Sequence, residues 1–389
     1  MERQEQRQQR RPLKDSGMQQ PRRPQMQPQQ TQRPPVNDAG ARSNTEDAHN
    51  KTLESVKHPG VLFTVFVAVL VVAVAIIAIQ LLKEPSDGDI MDLFVTTPQE
   101  YDTSILAAVN QGEGNMLAYP AVTEATKALE IQSSHGILIN LRNNTVIADK
   151  NGSERMYPAS MTKIMTLIVA YENVKDLDAK VTISAKIVDD AYLAGASVAG
   201  FKAGEQVTVR DLLYGTILPS GADATSALAE YVAGDETTFA AMMNKKAKEI
   251  GMMDSHFVTA SGLHDDDHYS TCRDMALALK YAIATPYLRE ILGTYTYTTT
   301  PTPEHPEGIM LFSTMYKKME GDEADGVYIQ GGKTGYTPEA HNCLASFAAR
   351  CSAEHADEFD PQFILVTGGG IGEYAAIYDA IDVYERYTK

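Results

Sequence analysis

The 389-residue chain contains no tryptophan and only three cysteines, Cys272, Cys343 and Cys351. So small and odd a count excludes a disulfide framework, and no Cys/His spacing in the chain matches a zinc site. Taken alone, the three thiols are expected as small apolar core residues. Cys343 and Cys351 could pair only where the backbone brings them together. Positive charge is also scarce: 34 Lys and Arg stand against 51 Asp and Glu, for a net charge of −17. Residues 1–60 hold 11 basic and 7 acidic side chains, a balance of +4, which leaves −21 for the remainder. A body this acidic repels phosphate, which excludes nucleic acid as a partner. The missing tryptophan carries no functional meaning.

Apolar periodicity is missing from the first 59 residues, which are rich in Gln, Arg and Pro. Such a stretch cannot bury enough surface to offset its ordering entropy, so it is expected to be a disordered tail. The opposite extreme follows. VLFTVFVAVLVVAVAIIAIQLL, Val61 to Leu82, contains no charge, and as a helix it reaches roughly 33 Å, the thickness of a bilayer core. It lies too far from the start and is too long for a signal peptide, so residues 60–82 are expected to span a membrane. Lys51, Lys57 and the arginine-rich tail precede it, while Glu84, Asp87, Asp89 and Asp92 follow. Positive residues stay inside, which makes the tail cytoplasmic and the rest extracytoplasmic. Residues 83–120 form a polar connector.

From residue 121 the pattern is globular. HGILINL (135–141) and TVIADK (145–150) are apolar β-branched runs around Arg-Asn-Asn, a hairpin signal. Ser160 to Asn173 has helical spacing, with Ile164, Leu167, Ile168 and Tyr171 on one side. Helical patterns dominate roughly 205–293. Strand-like runs return at IMLFSTM, GVYIQGG, CLASFAARC and FILVTGG, and EYAAIYDAIDVYERY closes the chain as an amphipathic helix. This order implies an α+β domain in which one sheet is split in sequence by an inserted helical subdomain.

Ser160-Met161-Thr162-Lys163 places a hydroxyl and an amine three residues apart at the start of that helix, within hydrogen-bond reach. A serine hydrolase without a histidine base needs this pair. A neutral amine can take the hydroxyl proton, and desolvation or a nearby cation keeps Lys163 neutral. One Ser-x-x-Lys arises by chance on the order of once per 400 residues, so alone it means little. Two further elements stand with it. Ser220-Gly221-Ala222 lies between two expected helices, and Lys333-Thr334-Gly335 lies between strands, where Lys333 supplies a second cation. Three elements in this order form the pattern of penicillin-binding proteins and class A β-lactamases.

Residues 121–389 resemble the low-molecular-weight penicillin-binding proteins, the serine D-Ala-D-Ala carboxypeptidases. YPASMTKIMT, GEQVTVRDLLYGTILPSGADATSALAEYVAG, FVTASGLHDDDHYSTCRDMA and GGKTGYTPEAHNCLAS carry the likeness in order. The resemblance implies a β-lactamase/penicillin-binding-protein-like fold, an antiparallel sheet flanked by helices. It implies Ser160 as the nucleophile, Lys163 as its base, and Ser220 as a proton relay. Lys333, Thr334, Gly335, Tyr336 and Thr337 would form the substrate-binding strand, with the N–H groups of Ser160 and Tyr336 as oxyanion hole. The partners implied are peptidoglycan stem peptides, with β-lactams as inhibitors; no cofactor and no metal is implied.

Two departures stand out. Ala222 occupies the place where the family usually has Asn, and the stretch Val366–Gly370 lacks the arginine that often grips the terminal carboxylate. Both leave open a catalytically silent wall-binding protein. A β-lactamase would need a deacylating base, for which Glu230 is the nearest candidate. The string from His264 to His268 admits a metal site, but five adjacent polar residues read better as an exposed turn.

Overall fold

The structure, a computed structural model, describes residues 119–320 and 324–389. The expected tail (1–59), the spanning segment (60–82) and the connector up to residue 118 lie outside the described residues. Among those described, no helix is long and apolar enough to cross a membrane.

In chain order the elements are β1 (Lys127–Ala128), β2 (His135–Asn140), β3 (Thr145–Lys150), a 3₁₀ turn (Ala159–Thr162), α1 (Lys163–Asn173), β4 (Lys180–Thr182), α2 (Ala185–Leu193), β5 (Gln206–Thr208), α3 (Val209–Ile217), α4 (Ala222–Ala233), α5 (Glu236–Glu249), α6 (Cys272–Ala284), α7 (Pro286–Gly293), β6 (Thr296–Thr298), β7 (Met310–Phe312), α8 (Thr314–Met319), β8 (Tyr328–Thr337), β9 (His341–Ala349), β10 (Phe363–Gly370) and α9 (Ala375–Tyr387). Six strands form one sheet in the order β1-β3-β2-β10-β9-β8. The expected antiparallel sheet is therefore mixed at one rim: two-residue β1 runs parallel to β3, and the other neighbours are antiparallel. The helical insertion sits between β3 and β8.

Apolar side chains fill both faces of the sheet because successive residues of a strand point to opposite sides. Ile137, Ile139, Ile364 and Val366 join the helices α1 and α6 in one cluster. Leu138, Leu365 and Leu344 join Ile377, Ile381 and Tyr384 of α9 in the other. Register aligns them, with Ile137 opposite Val366 and Leu138 opposite Leu365. This is why HGILIN and FILV read as unbroken apolar runs rather than alternating ones. Each such fully buried side chain stabilises the fold by about 1.5–3 kcal/mol.

Local signals set the helix ends. Thr208 and Asp211 close a capping box at α3, as T-V-R-D suggests. Two expectations need correction. The helix drawn from Ser160 begins as a 3₁₀ turn and becomes α-helical only at Lys163, and residues 163–170 are buried on every side rather than along one stripe. IMLFSTM is a strand only as far as Phe312; Ser313 then accepts the Tyr316 N–H and starts α8.

Candidate active site

Ser160 is presented by backbone strain. Ala159 before it has φ +46°, a conformation that costs a residue with a Cβ. The turn leaves Ser160 half-buried while Lys163, first residue of α1, is 3% exposed. Lys163 Nζ donates to Ser160 Oγ at 3.1 Å and to the Ser261 carbonyl at 2.6 Å. Burial pushes the amine down to about 7, against the pull of Asp223 and Glu236. A large fraction of Lys163 is thus unprotonated near neutral pH, the state a base requires.

Among the described residues β8 is the last strand on its side of the sheet, and an edge strand presents backbone groups to an arriving chain. β8 passes directly along the turn that carries Ser160. A Cβ on Gly335 would lie 2.9 Å from the Pro158 carbonyl oxygen and 3.1 Å from the Ser160 nitrogen, so only glycine permits this approach. Two residues earlier, Lys333 is 1% exposed and donates to the Thr334 carbonyl at 2.9 Å. Burial, and then the charges of Lys163 and Lys318, hold its amine well below the usual lysine range. Thr334 shares a hydroxyl contact of 2.7 Å with Thr314, and Tyr336 is exposed. Thr337 accepts the Ala340 N–H at 3.1 Å, closing the turn into β9.

Ser220 sits between α3 and α4 with φ +63°. Its hydroxyl is buried and has no hydrogen-bond partner among the described residues. A buried hydroxyl left without a partner is costly, and a ligand group would satisfy it. The loop carrying it is tied to the β8 side, since the Thr314 N–H donates to the Leu218 carbonyl at 2.9 Å. The structure therefore brings the Ser160, Ser220 and Lys333 segments to one place.

A family model described as D-alanyl-D-alanine carboxypeptidase, peptidase S11, matches residues 121–354. The chain belongs to this family. The D-alanyl-D-alanine carboxypeptidase DacF of Bacillus subtilis is 32% identical over 225 residues, covering 58% of this chain and 56% of that protein. DacC of Escherichia coli, of the same description, is 38% identical over 169 residues, or 42% of each. The chain thus spans about half the length of these curated relatives. Among solved structures, the DD-transpeptidase of Streptomyces strain K15 is similar with a TM-score of 0.58 and 30% identity, over 67% of this chain and 98% of that one. The fold is that of the penicillin-binding proteins.

Within this D-alanyl-D-alanine carboxypeptidase family the two departures are now placed. Ala222 is buried, and its N–H donates to the Ser197 carbonyl at 2.7 Å, so the position serves the backbone rather than offering an amide side chain. Val366–Gly370 ends β10 with a register shift between Thr367 and Gly370. Glu230 is exposed on α4 and is one of the smaller charges that raise the Lys186 amine. All three cysteines are unpaired: Cys343 and Cys351 lie along and just beyond the same extended strand, which keeps them apart. Among the described residues no group of three or more His, Cys, Asp or Glu is placed to hold a metal.

Several contributors went unrecognised in the sequence. Asp223, 2% exposed, accepts the N–H groups of Ala199 (2.7 Å), Gly200 (2.9 Å) and Phe201 (3.2 Å), pinning the loop beside Ser220. Its signal was an acidic residue in the first turn of a helix. Glu236 accepts the Ala260 N–H at 3.0 Å, next to the carbonyl that holds Lys163. The solvated-turn expectation fails at its last residue. Residues 263–267 are exposed, but His268 is buried at 2% exposure, because its ring has internal donors and acceptors on both sides.

Proposed function

We propose that the protein is a serine D-Ala-D-Ala carboxypeptidase that trims peptidoglycan stem peptides outside a cytoplasmic membrane. The carrying observation is the 3.1 Å contact between Ser160 Oγ and a lysine amine that burial holds at about 7. In this reading, neutral Lys163 takes the Ser160 proton as Oγ attacks the carbonyl between the two D-alanines. The oxyanion is held by the N–H groups of Ser160 and Tyr336. The C–N bond then breaks, the departing D-alanine amine takes its proton from Lys163 with Ser220 as relay, and water hydrolyses the ester on Ser160.

Lys333, Thr334 and Thr337 grip the substrate carboxylate, and Gly335 lets the peptide lie along the edge of β8. A carboxylate beside the Lys333 amine favours its charged form, which links peptide binding to the electrostatics of the site. β-Lactams acylate the same serine. The topology is a cytoplasmic tail (1–59), a spanning helix (60–82), a connector (83–120) and an extracytoplasmic catalytic domain (121–389). It is supported by the uncharged run and the asymmetry of its flanks.

The test incubates the purified full-length protein with a D-Ala-D-Ala-terminated peptide and, separately, with a fluorescent penicillin. D-Alanine release and labelling are expected from wild type and not from Ser160→Ala. Absence of both in wild type overturns the enzyme reading; labelling without release marks a wall-binding role.

A further inference from the structure

The buried imidazole of His268 bridges two parts of the site. Its Nε2 lies 2.8 Å from Thr162 Oγ1, in the turn that carries Ser160 and next to Lys163. Nδ1 accepts the backbone N–H groups of Val258 at 3.0 Å and Thr259 at 3.3 Å. Two donors converge on Nδ1, so that nitrogen carries the lone pair and the proton resides on Nε2, donated to Thr162. The ring meets Phe257 edge-on at 5.6 Å.

The loop held by Nδ1 is the one that holds the base. After the two N–H groups fixed by the imidazole come two carbonyls fixed by α1. Ala260 accepts from Thr166 Oγ1 at 2.5 Å, and Ser261 accepts from Lys163 Nζ at 2.6 Å. Gly262, with φ +76°, seals the contact: a Cβ there would fall 2.0 Å from the Ala159 carbonyl oxygen. A neutral amine has two N–H bonds and one lone pair. With one N–H fixed on the Ser261 carbonyl, loss of a proton from the amine reverses the 3.1 Å contact, so that the Ser160 hydroxyl donates to the lone pair.

We propose that His268 is a positioning residue for the Lys163 amine: its neutral ring ties the loop 258–262 to the nucleophile turn and so sets the Ser261 carbonyl that aims the base. The inference rests on the reading of Ser160 and Lys163 as nucleophile and base. The groups facing the ring agree with a neutral imidazole. Burial is the largest influence; Asp265 favours the cation, while His256, His264 and Lys163 oppose it, and the ring is held at about 4. It stays uncharged wherever Lys163 titrates.

The experiment measures the rate of acylation by a fluorescent penicillin against pH, together with thermal stability, on the full-length protein and its variants. His268→Ala is expected to slow acylation by about 10²-fold, the effect of an ångström-scale misplacement. Its acid limb should move above the wild-type position, because a loosened loop admits water to Lys163. His268→Gln, whose amide offers one acceptor and one donor, should recover the rate to within about tenfold of wild type. Thr162→Val keeps the imidazole and the volume but removes the partner of Nε2, and should slow acylation by about tenfold, the value of one hydrogen bond.

A folded His268→Ala that acylates within about twofold of wild type, with its acid limb unmoved, overturns the proposal even if its melting temperature falls. If His268→Ala does not fold, Thr162→Val decides, and a wild-type rate and limb there overturn it. Labelling that persists in Ser160→Ala would instead sink the underlying reading of the nucleophile, an outcome distinct from either of these.

Discussion

The two sides of the candidate site are built on opposite plans. On the helix side most of the polar groups around Ser160 are bonded to the protein itself, Lys163 to Ser261, Thr162 to His268, Thr166 to Ala260 and Asp223 to residues 199–201, with the Ser220 hydroxyl as the exception. On the strand side Lys333 leans on the adjacent carbonyl, Tyr336 faces solvent, and β8 is the edge strand of the sheet. The first plan places groups that must not move during a proton transfer. The second leaves bonding capacity for whatever arrives.

The comparison is tested hardest at the base. Lys163→Met should slow penicillin acylation by about 10³-fold. It should also abolish the acid limb near pH 7, because in the proposed mechanism the amine acts unprotonated and wild-type acylation is expected to rise as pH climbs through about 7. A variant that keeps the limb would assign the base elsewhere. Next comes a pair of substitutions read together. Lys333→Met should lower kcat/KM by about 10²-fold while leaving the melting temperature unchanged or higher, since a buried polar amine is replaced by an apolar chain of similar length. Asp223→Ala should cost about 3 kcal/mol of stability, as three loop N–H groups lose a buried acceptor. Equal destabilisation of the two would erase the distinction between the sides.

A smaller effect reports the lysines in the ligand-free protein. Lys163 is held at about 7 and Lys333 also lies below the ordinary 10.5. The folded chain therefore binds fewer protons than the unfolded one between about pH 7 and 10.5, and these groups make stability rise with pH across that window. The urea midpoint of a Lys163→Met/Lys333→Met chain should rise less steeply from pH 7 to 10 than that of wild type. Smallest of all, Glu230→Gln should leave penicillin turnover within about twofold, because the carboxylate is exposed on α4.

Much of this was legible in the sequence. Ser160 and Lys163 are close in sequence, so local geometry alone brings them together, and Lys333 to Thr337 lie on one strand whose glycine betrays a tight approach. The central strands declared themselves by unbroken apolar runs. What stayed hidden depended on long-range partners. His268 sits 106 residues from Thr162, and nothing in a string of His and Asp tells which member turns inward. Asp223 likewise holds a loop some 22–24 residues before it. The break at Ser313 was masked because a short apolar run fits a strand as readily as the entry to a helix, and α2, capped by Ser184, is too short for its periodicity to stand out.

Two buried lysines held below their ordinary range have a thermodynamic signature of their own. When an anion settles against Lys333, the amine becomes more basic, and a proton is drawn from the surrounding buffer. Association should then be coupled to proton uptake, so the heat of binding measured calorimetrically at one pH should change with the ionisation enthalpy of the buffer chosen. The slope of that dependence counts the protons that travel with the ligand.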